Sequence, residues 1–231
     1  MSVPTATLEP ALKSATTLAE AAYERIRADI LAGRFGADTK LGIQQLKERY
    51  AIGASPLREA LSRLVADGFV ALTGQRGFRV APISLADLRD VTRLRVLFET
   101  ESLRDSIAVG DDAWEAAVVA AFHRLSKIEP SREEQFAEWE RRNADFHDVL
   151  VSACPSPRLL QFRKNLFDQH KRYRSLSTRM PTPERDIARE HREIMDAAMA
   201  RDSMRACAAV ALHIQLTAQQ LERYVAEFGG G

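Results

Sequence analysis

Most of the chain, from residue 85 onward, has the periodicity of helices and carries no pattern typical of strands. Apolar residues recur there at spacings of three and four, as on the buried face of an amphipathic helix. Short Pro-, Gly- and Asp-containing breaks divide the stretch into segments 85–109, 112–127, 132–153, 157–178, 183–200 and 202–227. Consecutive helices joined by such short loops pack antiparallel. The sequence therefore predicts an all-α antiparallel helix bundle over residues 85–228.

The first third of the chain has a different pattern, with three short helices followed by a hairpin. One apolar face recurs every fourth residue from Leu18 to Ile30, and Gly33 follows where a helix C-cap belongs. Ser55-Pro56 is typical of a helix start, with Ser55 as the N-cap. Phe69–Leu72 and Phe78–Val80 have the pattern of two strands. This order predicts a winged helix-turn-helix over residues 16–80, preceded by a flexible arm at 1–15 and followed by a linker at 81–84.

Composition narrows the class of protein. Hydrophobic residues make up 45% of the chain, charged residues 28%, and the net charge is +1. A uniformly basic nucleic-acid coat is excluded, whereas a local basic patch is not. No apolar run approaches the length of a membrane span, and residues 1–15 contain no secretory h-region. Cys154 and Cys207 cannot form a disulfide scaffold. We therefore expect a cytoplasmic protein with no membrane partner.

The third helix offers a surface for reading DNA. Its apolar residues leave Ser55, Arg58 and Arg63 on the outer face. An arginine near the start of an exposed helix can fork onto guanine in the major groove. Arg76 lies at the predicted hairpin tip, where it can reach phosphates. The domain carries ten Lys/Arg against seven Asp/Glu between residues 16 and 80, so a small helical domain with a solvated charged face is the alternative.

The strings ILAGRFGADTKL, LREALSRLVADGFV and GQRGFRV, at residues 30–80, resemble the winged-helix domain of the GntR family of bacterial transcription regulators. The resemblance implies a double-stranded DNA operator as partner, base contacts from Arg58, and a wing whose Gly77 approaches the DNA backbone. The chain departs from the family pattern where Gln44 replaces a frequent arginine and Gly53-Ala54 replaces a frequent Ser-Arg. Two potential DNA contacts of the family are lost at these positions, and Gln44 stays a candidate DNA-binding residue.

Polar residues interrupt the apolar stripes of the C-terminal helices. Asn143 and His147 lie one turn apart on one inward face, and His191 and His213 occupy inward positions of two later helices. Arg95 lies on the inward face of the first bundle helix. Burying such groups costs several kcal/mol unless they are compensated. A divalent metal bound by three imidazoles and one oxygen would compensate them together.

A single inward histidine is more often a satisfied core residue than a metal ligand, so this alternative stays open. His123 is predicted to lie on a solvated helix edge, and His170 could face either way. The Lys171–Arg174 run is typical of a solvated face. The other reading of that run places Arg174 or Arg172 in a pocket with Arg95, where they would bind a small carboxylate.

The strings NADFH, EHREIMDAAMARDSMRA and LH resemble the FCD domain, the ligand-binding half of FadR-type GntR regulators. The resemblance implies a metal held by Asn143, His147, His191 and His213 at the floor of the effector pocket, with zinc expected and nickel or manganese as alternatives. Asn143 replaces a frequent aspartate, which removes one ligand charge. RVLFE at residues 95–99 matches a helix whose arginine faces the pocket. SPLREALSRL and HKRYRSLS are similar to the CsiR-type regulators of glutarate and related catabolism.

Together these features predict a homodimeric transcription regulator, in the family usually a repressor, that binds a palindromic operator. A small carboxylate or dicarboxylate would bind Arg95 and Arg174 beside the metal and release the DNA. Two alternatives remain open: a regulator that senses the metal itself, and a metal-dependent enzyme. Against the enzyme, the sequence shows no carboxylate that obviously stands beside the ligand set, so Glu99, Asp145 or Glu190 would have to be recruited. We expect no catalytic activity.

Overall fold

The computed structural model describes residues 17–74, 77–128, 133–176 and 185–228, and the predicted arm at 1–15 lies outside them. The N-terminal part consists of α1 (Leu18–Leu31), β1 (Lys40–Leu41), α2 (Ile43–Tyr50), α3 (Ala54–Ala66), β2 (Val70–Leu72) and β3 (Phe78–Val80). The C-terminal part consists of α4 (Leu85–Val109), α5 (Asp112–Leu125), α6 (Glu133–Leu150), α7 (Pro157–Leu176), α8 (Ile187–Met199) and α9 (Ser203–Phe228). The predicted fold class, a winged helix-turn-helix followed by an all-α bundle, is confirmed.

The helix ends follow local capping chemistry. The Thr17 hydroxyl accepts the Glu20 amide at the start of α1, and Gly33 follows its end at φ +71°. Ser84 caps α4 by accepting the Asp87 amide. The predicted cap at Ser55 is wrong. The N-cap is the extended Gly53, two residues earlier, and helix α3 begins at Ala54, so the exposed Ser55 lies inside its first turn.

The wing is a three-stranded antiparallel sheet in the order β1-β3-β2. Strand β3 pairs with β2 through Val70–Val80 and with β1 through Leu41–Phe78. Strand β1 has two residues, too few for an alternating pattern, and the sequence analysis did not predict it. Its Leu41 is buried and joins the core formed by α1, α2, α3 and the sheet. The sheet therefore closes the helical core of the N-terminal domain on one side.

The bundle packs α4 along both α7 and α9, with α8 against α9 and α5 against α6. Its main apolar core contains Trp114, Val118, Phe146, Ile194 and Val210, all buried. The observed helix ends differ from the predicted ones most at α8, which begins at Ile187 rather than residue 183. Within the described residues, no helix combines the length and hydropathy needed to cross a membrane. Both cysteines are buried and form no disulfide bond.

The two parts of the chain contact each other through α7. Asn165 and Gln169 both donate to the backbone carbonyl of Asp67, just after α3, at 3.3 and 2.9 Å. Asp168 forms an ion pair with Arg27 of α1. Arg172 donates to the carbonyl of Ala81 in the linker. The segment of α7 from Asn165 to Arg172 is thus bonded to the N-terminal domain and to the linker.

Asp29 is a buried carboxylate that ties the N-terminal helices together. It accepts hydrogen bonds from Tyr50 at 2.7 Å, from Arg49 at 2.9 Å and from Arg34 at 2.6 Å. We expect D29A to lower the free energy of unfolding by about 2–4 kcal/mol, because charged hydrogen bonds are lost and a buried tyrosine hydroxyl loses its acceptor. Urea denaturation measures this change. The control E24A removes a solvated carboxylate and should change stability by less than about 0.5 kcal/mol. Equal effects of the two variants would contradict the role of Asp29.

Candidate metal centre and anion pocket

Three histidines from three helices meet inside the bundle. His147 lies on α6, His191 on α8 and His213 on α9, and one ring nitrogen of each lies within 4.8 Å of the other two. All three are buried, with at most 6% of the residue surface exposed. Phe146 holds two of the rings in place, since its ring lies edge-on to His147 at 5.5 Å and to His191 at 5.4 Å between centroids. The three predicted imidazole ligands are thus brought together.

Several polar atoms of this cluster are buried without a hydrogen-bond partner. They are Asn143 Oδ1, both ring nitrogens of His147 and His191 Nε2. Buried polar atoms in folded proteins are almost always satisfied. Imidazole nitrogens and an amide oxygen are donors that Zn²⁺, Ni²⁺ and Mn²⁺ accept. The donor set therefore fits a divalent cation.

Two carboxylates stand behind the imidazoles. Glu190 Oε2 lies 2.8 Å from His213 Nδ1, so the ionised carboxylate accepts a hydrogen bond from the Nδ1–H group. Nε2 of His213 then carries no proton and could bind a metal. Arg185 in turn pairs with Glu190. Glu99 Oε1 lies 3.3 Å from His147 Nδ1, outside hydrogen-bonding geometry. The expectation that no carboxylate stands beside the set is wrong for Glu99 and Glu190, whereas Asp145 is half-exposed and pairs with Arg141.

Burial keeps the imidazoles neutral. It lowers the pKa of His147 to about 4, with Glu99 opposing the shift, and the pKa of His213 to about 3, with Glu190 opposing it. The pKa of His191 is also well below its usual value because of burial and the two neighbouring histidines. Neutral imidazole is the form that binds metals. Metal binding at neutral pH therefore displaces no proton from these rings.

A second polar cluster, the anion pocket, consists of Arg95 on α4 with His170 and Arg174 on α7. His170 Nδ1 lies 3.0 Å from Arg95 Nη1 and 3.1 Å from Arg174 Nη1. A guanidinium only donates, so Nδ1 must be the acceptor and the proton of this neutral ring lies on Nε2. Within the described part of the chain, His170 Nε2 and Arg95 Nε are buried without acceptors. Two buried N–H groups of this pocket thus lack hydrogen-bond acceptors.

The ring of Phe167 joins the two clusters. It lies 5.6 Å from the ring of His147, while the guanidinium carbons of Arg95 and Arg174 lie 4.6 and 5.0 Å from its centroid. Cations over an aromatic face are attracted by its quadrupole. The histidine cluster and the anion pocket are therefore adjacent, separated by one aromatic side chain.

The buried charges around Phe167 do not balance. Arg163 pairs with Glu99, with Nε and Nη2 at 2.9 and 2.8 Å from its oxygens, and Arg174 pairs with Glu140. Arg95, 1% exposed, has no carboxylate within ion-pair distance among the described residues. Burial lowers the pKa of Arg95 to about 9, partly offset by Glu99. Arg163 also pairs with Asp148, whereas Arg95 forms no direct ion pair among the described residues and contacts His170 and the face of Phe167.

Sequence reasoning assigned this region only in part. The interpretation of residues 171–174 as a solvated face is wrong, because Arg172, Tyr173 and Arg174 are all buried. Arg172 binds the linker rather than the pocket. His170 is fully buried and belongs to the pocket, and His123 is exposed as predicted. Glu140 and Arg163 were missed, although Arg163, Phe167, His170 and Arg174 follow the spacing of one helix face.

The predicted DNA-binding residues lie on the helix-turn-helix surface. Gln44 on α2 and both Ser55 and Arg58 on α3 are exposed. Arg63 is partly engaged, since it pairs with Glu20 at 2.5 Å and lies over the ring of Tyr23. Gly77 has φ +100° with open space where a side chain would be, so the wing backbone is accessible there. Arg76 lies outside the described residues.

Comparison with known proteins agrees with this architecture. Residues 18–80 match the bacterial regulatory proteins of the gntR family, and residues 90–216 match the FCD domain. The chain belongs to the GntR family, in its FCD-containing branch. Two relatives are the HTH-type transcriptional regulator BphR of Paraburkholderia xenovorans, 42% identical over 86% of this chain and 83% of that protein, and the HTH-type transcriptional repressor GlaR of Escherichia coli, 39% identical over 83% of this chain and 90% of that protein.

The solved structure of E. coli McbR/YncC has the same fold, with a TM-score of 0.78 at 16% identity over 90% of this chain and 98% of that chain. The family and both relatives are regulators of transcription. This GntR-family chain is therefore a transcriptional regulator, and the expectation that it is not an enzyme is confirmed.

The depressed histidine pKa values predict how stability depends on pH. Unfolded imidazoles have a pKa of about 6.5 and take up protons as the pH falls, whereas the buried rings of His147, His170, His191 and His213 do not. The unfolded state therefore binds more protons than the folded state. The free energy of unfolding of chelator-treated protein should fall from pH 6.5 to 4.5, by about 1.4 kcal/mol per pH unit for each ring. Urea titrations across this range measure the slope. H170Q should reduce this slope by the contribution of one proton. A free energy of unfolding that does not change with pH would contradict the buried neutral rings.

Proposed function

We propose that this regulator is a repressor that binds a palindromic operator as a homodimer and is released by a small carboxylate or dicarboxylate bound inside the bundle. The observation that carries the proposal is the buried, uncompensated charge of Arg95 beside the unpaired N–H of His170. Repression is supported by the name of the GlaR relative. Its place of action is the cytoplasm, where the operator is.

The proposed function includes a divalent metal ion bound inside the bundle. Asn143, His147, His191 and His213 would hold it, with zinc favoured by the three imidazoles and nickel or manganese as alternatives. When bound, the ion supplies a positive charge and a Lewis-acidic position for a carboxylate oxygen. Glu190 orients His213 through Nδ1, which is the arrangement that fixes the tautomer of a histidine ligand.

The anion pocket supplies the recognition of the carboxylate. Arg95 Nε and His170 Nε2 are donors that lack acceptors, and Arg174 contributes a second guanidinium. Charge-assisted hydrogen bonds from guanidinium to carboxylate are stronger than neutral ones. A neutral ligand would leave the charge of Arg95 uncompensated. The pocket therefore favours an organic acid.

Helix α7 connects the pocket to the DNA-binding domain. Arg163, Phe167, His170 and Arg174 occupy its inner face, while Asp168, Gln169 and Arg172 contact α1, the turn after α3 and the linker. A shift of α7 on effector binding would move both recognition helices of a dimer relative to the half-sites. Moving the population from almost fully DNA-competent to almost fully released requires about 5.5 kcal/mol of differential binding.

The DNA contacts follow from the exposed face of the helix-turn-helix. Arg58 and Ser55 of α3 are exposed and would enter the major groove, with the exposed Gln44 of α2 at its edge. Arg63 would exchange Glu20 for a phosphate, while Arg76 and Gly77 would bring the wing to the backbone.

A regulator that senses the metal alone is the second candidate, favoured by the histidine cluster. It does not account for the unpaired donors of Arg95 and His170. Chelator-sensitive DNA binding combined with no response to any organic acid would select it. The two candidates therefore differ in a single titration.

We expect R58A to weaken operator binding at least about tenfold while the bundle stays folded, because a bidentate arginine–guanine contact contributes about 1–3 kcal/mol. Fluorescence anisotropy on a duplex selected by the wild-type protein from a random library measures the loss. R93A removes an exposed arginine of α4 and is the matched control. An unchanged footprint for R58A would refute the assignment of α3.

We expect H147A/H191A to lose both the bound metal and the stabilisation by carboxylates. Metal per chain is measured by mass spectrometry, and a thermal-shift screen of C3–C7 mono- and dicarboxylates measures effector binding, since a ligand of the folded state raises the melting temperature. H123A, which removes the exposed histidine of α5, is the control. One metal per chain retained in the double variant would show that the ligand set is wrong.

A further inference from the structure

We propose that Glu140 is an internal competitor of the effector. Its carboxylate binds the Arg174 guanidinium in the effector-free protein, and the carboxylate of an effector displaces it from there. This inference rests on the proposed function, since it requires an organic acid in the anion pocket.

The contact between Glu140 and Arg174 has the form of a bound carboxylate. Arg174 Nε donates to Oε1 at 2.8 Å and Nη2 donates to Oε2 at 3.1 Å, so both oxygens are held by one fork. Glu140 is 3% exposed and Arg174 is 8% exposed. The remaining nitrogen of the fork, Nη1, lies 3.1 Å from His170 Nδ1. Glu140 thus occupies the guanidinium that borders the unpaired donors of the pocket.

The displaced carboxylate borders an open cleft whose wall is mostly apolar but includes two cationic side chains. A cleft of about 490 Å³ lies between α1 of the DNA-binding domain and helices α6 and α7, and Glu140 is part of its wall. Lys171 and Arg27 line the same cleft. A carboxylate that leaves Arg174 can therefore reach water and cations without being buried unpaired, which would cost several kcal/mol. This makes the exchange feasible.

Competition of this kind sets the effector concentration at which the protein responds. A bidentate guanidinium fork holds one carboxylate at a time. Glu140 is tethered to the site, so its effective concentration is high and the effector must outcompete it. Arg95 has no such competitor among the described residues. The same arrangement keeps Arg174 neutralised when no effector is bound.

The test compares E140Q with wild type in the metal-loaded, full-length protein. Acetate and the C3–C7 acids of the screen are the probes, and thermal-shift titrations at constant ionic strength give their Kd. Glutamine keeps the size of the side chain and removes its charge, so we expect Kd to fall about tenfold, which corresponds to 1.4 kcal/mol, for the acids that bind wild type. E138Q, which removes a solvated carboxylate that pairs with Arg141 on the same helix, should leave Kd unchanged.

A purely structural role of Glu140 would weaken binding, whereas competition strengthens it. E140D keeps the charge on a shorter side chain and serves as the second variant if E140Q does not fold. We expect its Kd to lie between those of wild type and E140Q. Unchanged or weaker binding in folded variants would overturn the competitor role while wild-type binding leaves the proposed function intact. Absence of binding by every acid to wild type would overturn the proposed function, and with it this inference.

Discussion

Uncompensated positive charge in the interior of the bundle is the constraint that organises this molecule. Three arginines lie around one phenylalanine ring, and two of them are neutralised by Glu99 and Glu140. Arg95 is the exception. Buried charge without a partner is strongly unfavourable, so a chain that keeps Arg95 there carries a cost that a ligand can remove. The helices that meet at this point, α4, α6 and α7, are also the ones whose relative positions a ligand could change.

Helix α7 combines two tasks on two faces. Its inner face carries His170 and Arg174, and its outer residues Asp168 and Gln169 are bonded to the DNA-binding domain. Because a helix moves as a rigid element, a displacement on one face is transmitted to the other. The bonds to Asp67 are made to a backbone carbonyl at the end of the recognition helix, so they report the position of that helix directly. Coupling between pocket and DNA surface therefore requires no long chain of side-chain contacts.

The sequence predicts the histidine cluster more clearly than the anion pocket beside it. Asn143, His147 and His191 interrupt apolar stripes, so their helical spacing alone predicts that they face inward. Within the basic run the signal is weaker, because Arg174 and Lys171 look alike by residue type although Arg174 is buried and Lys171 is not. Pairing across helices, such as Glu140 with Arg174, depends on which helices pack together and is invisible to periodicity. Strand β1 escaped prediction because two residues cannot show alternation.

The histidine cluster would bind a cation and the anion pocket an anion, so the occupancy of one would affect ligand binding at the other. Among the described residues, imidazole nitrogens of His147 and His191 and the oxygen of Asn143 have no hydrogen-bond donor, whereas the N–H groups of Arg95 and His170 have no acceptor. A cation at the histidines alone would add positive charge next to Arg95, across the ring of Phe167. An anion would relieve both, so each ligand should strengthen the binding of the other by the same factor. A metal that is held constantly would then act as a fixed part of the receptor, and the organic acid would be the variable that the DNA-binding domain senses.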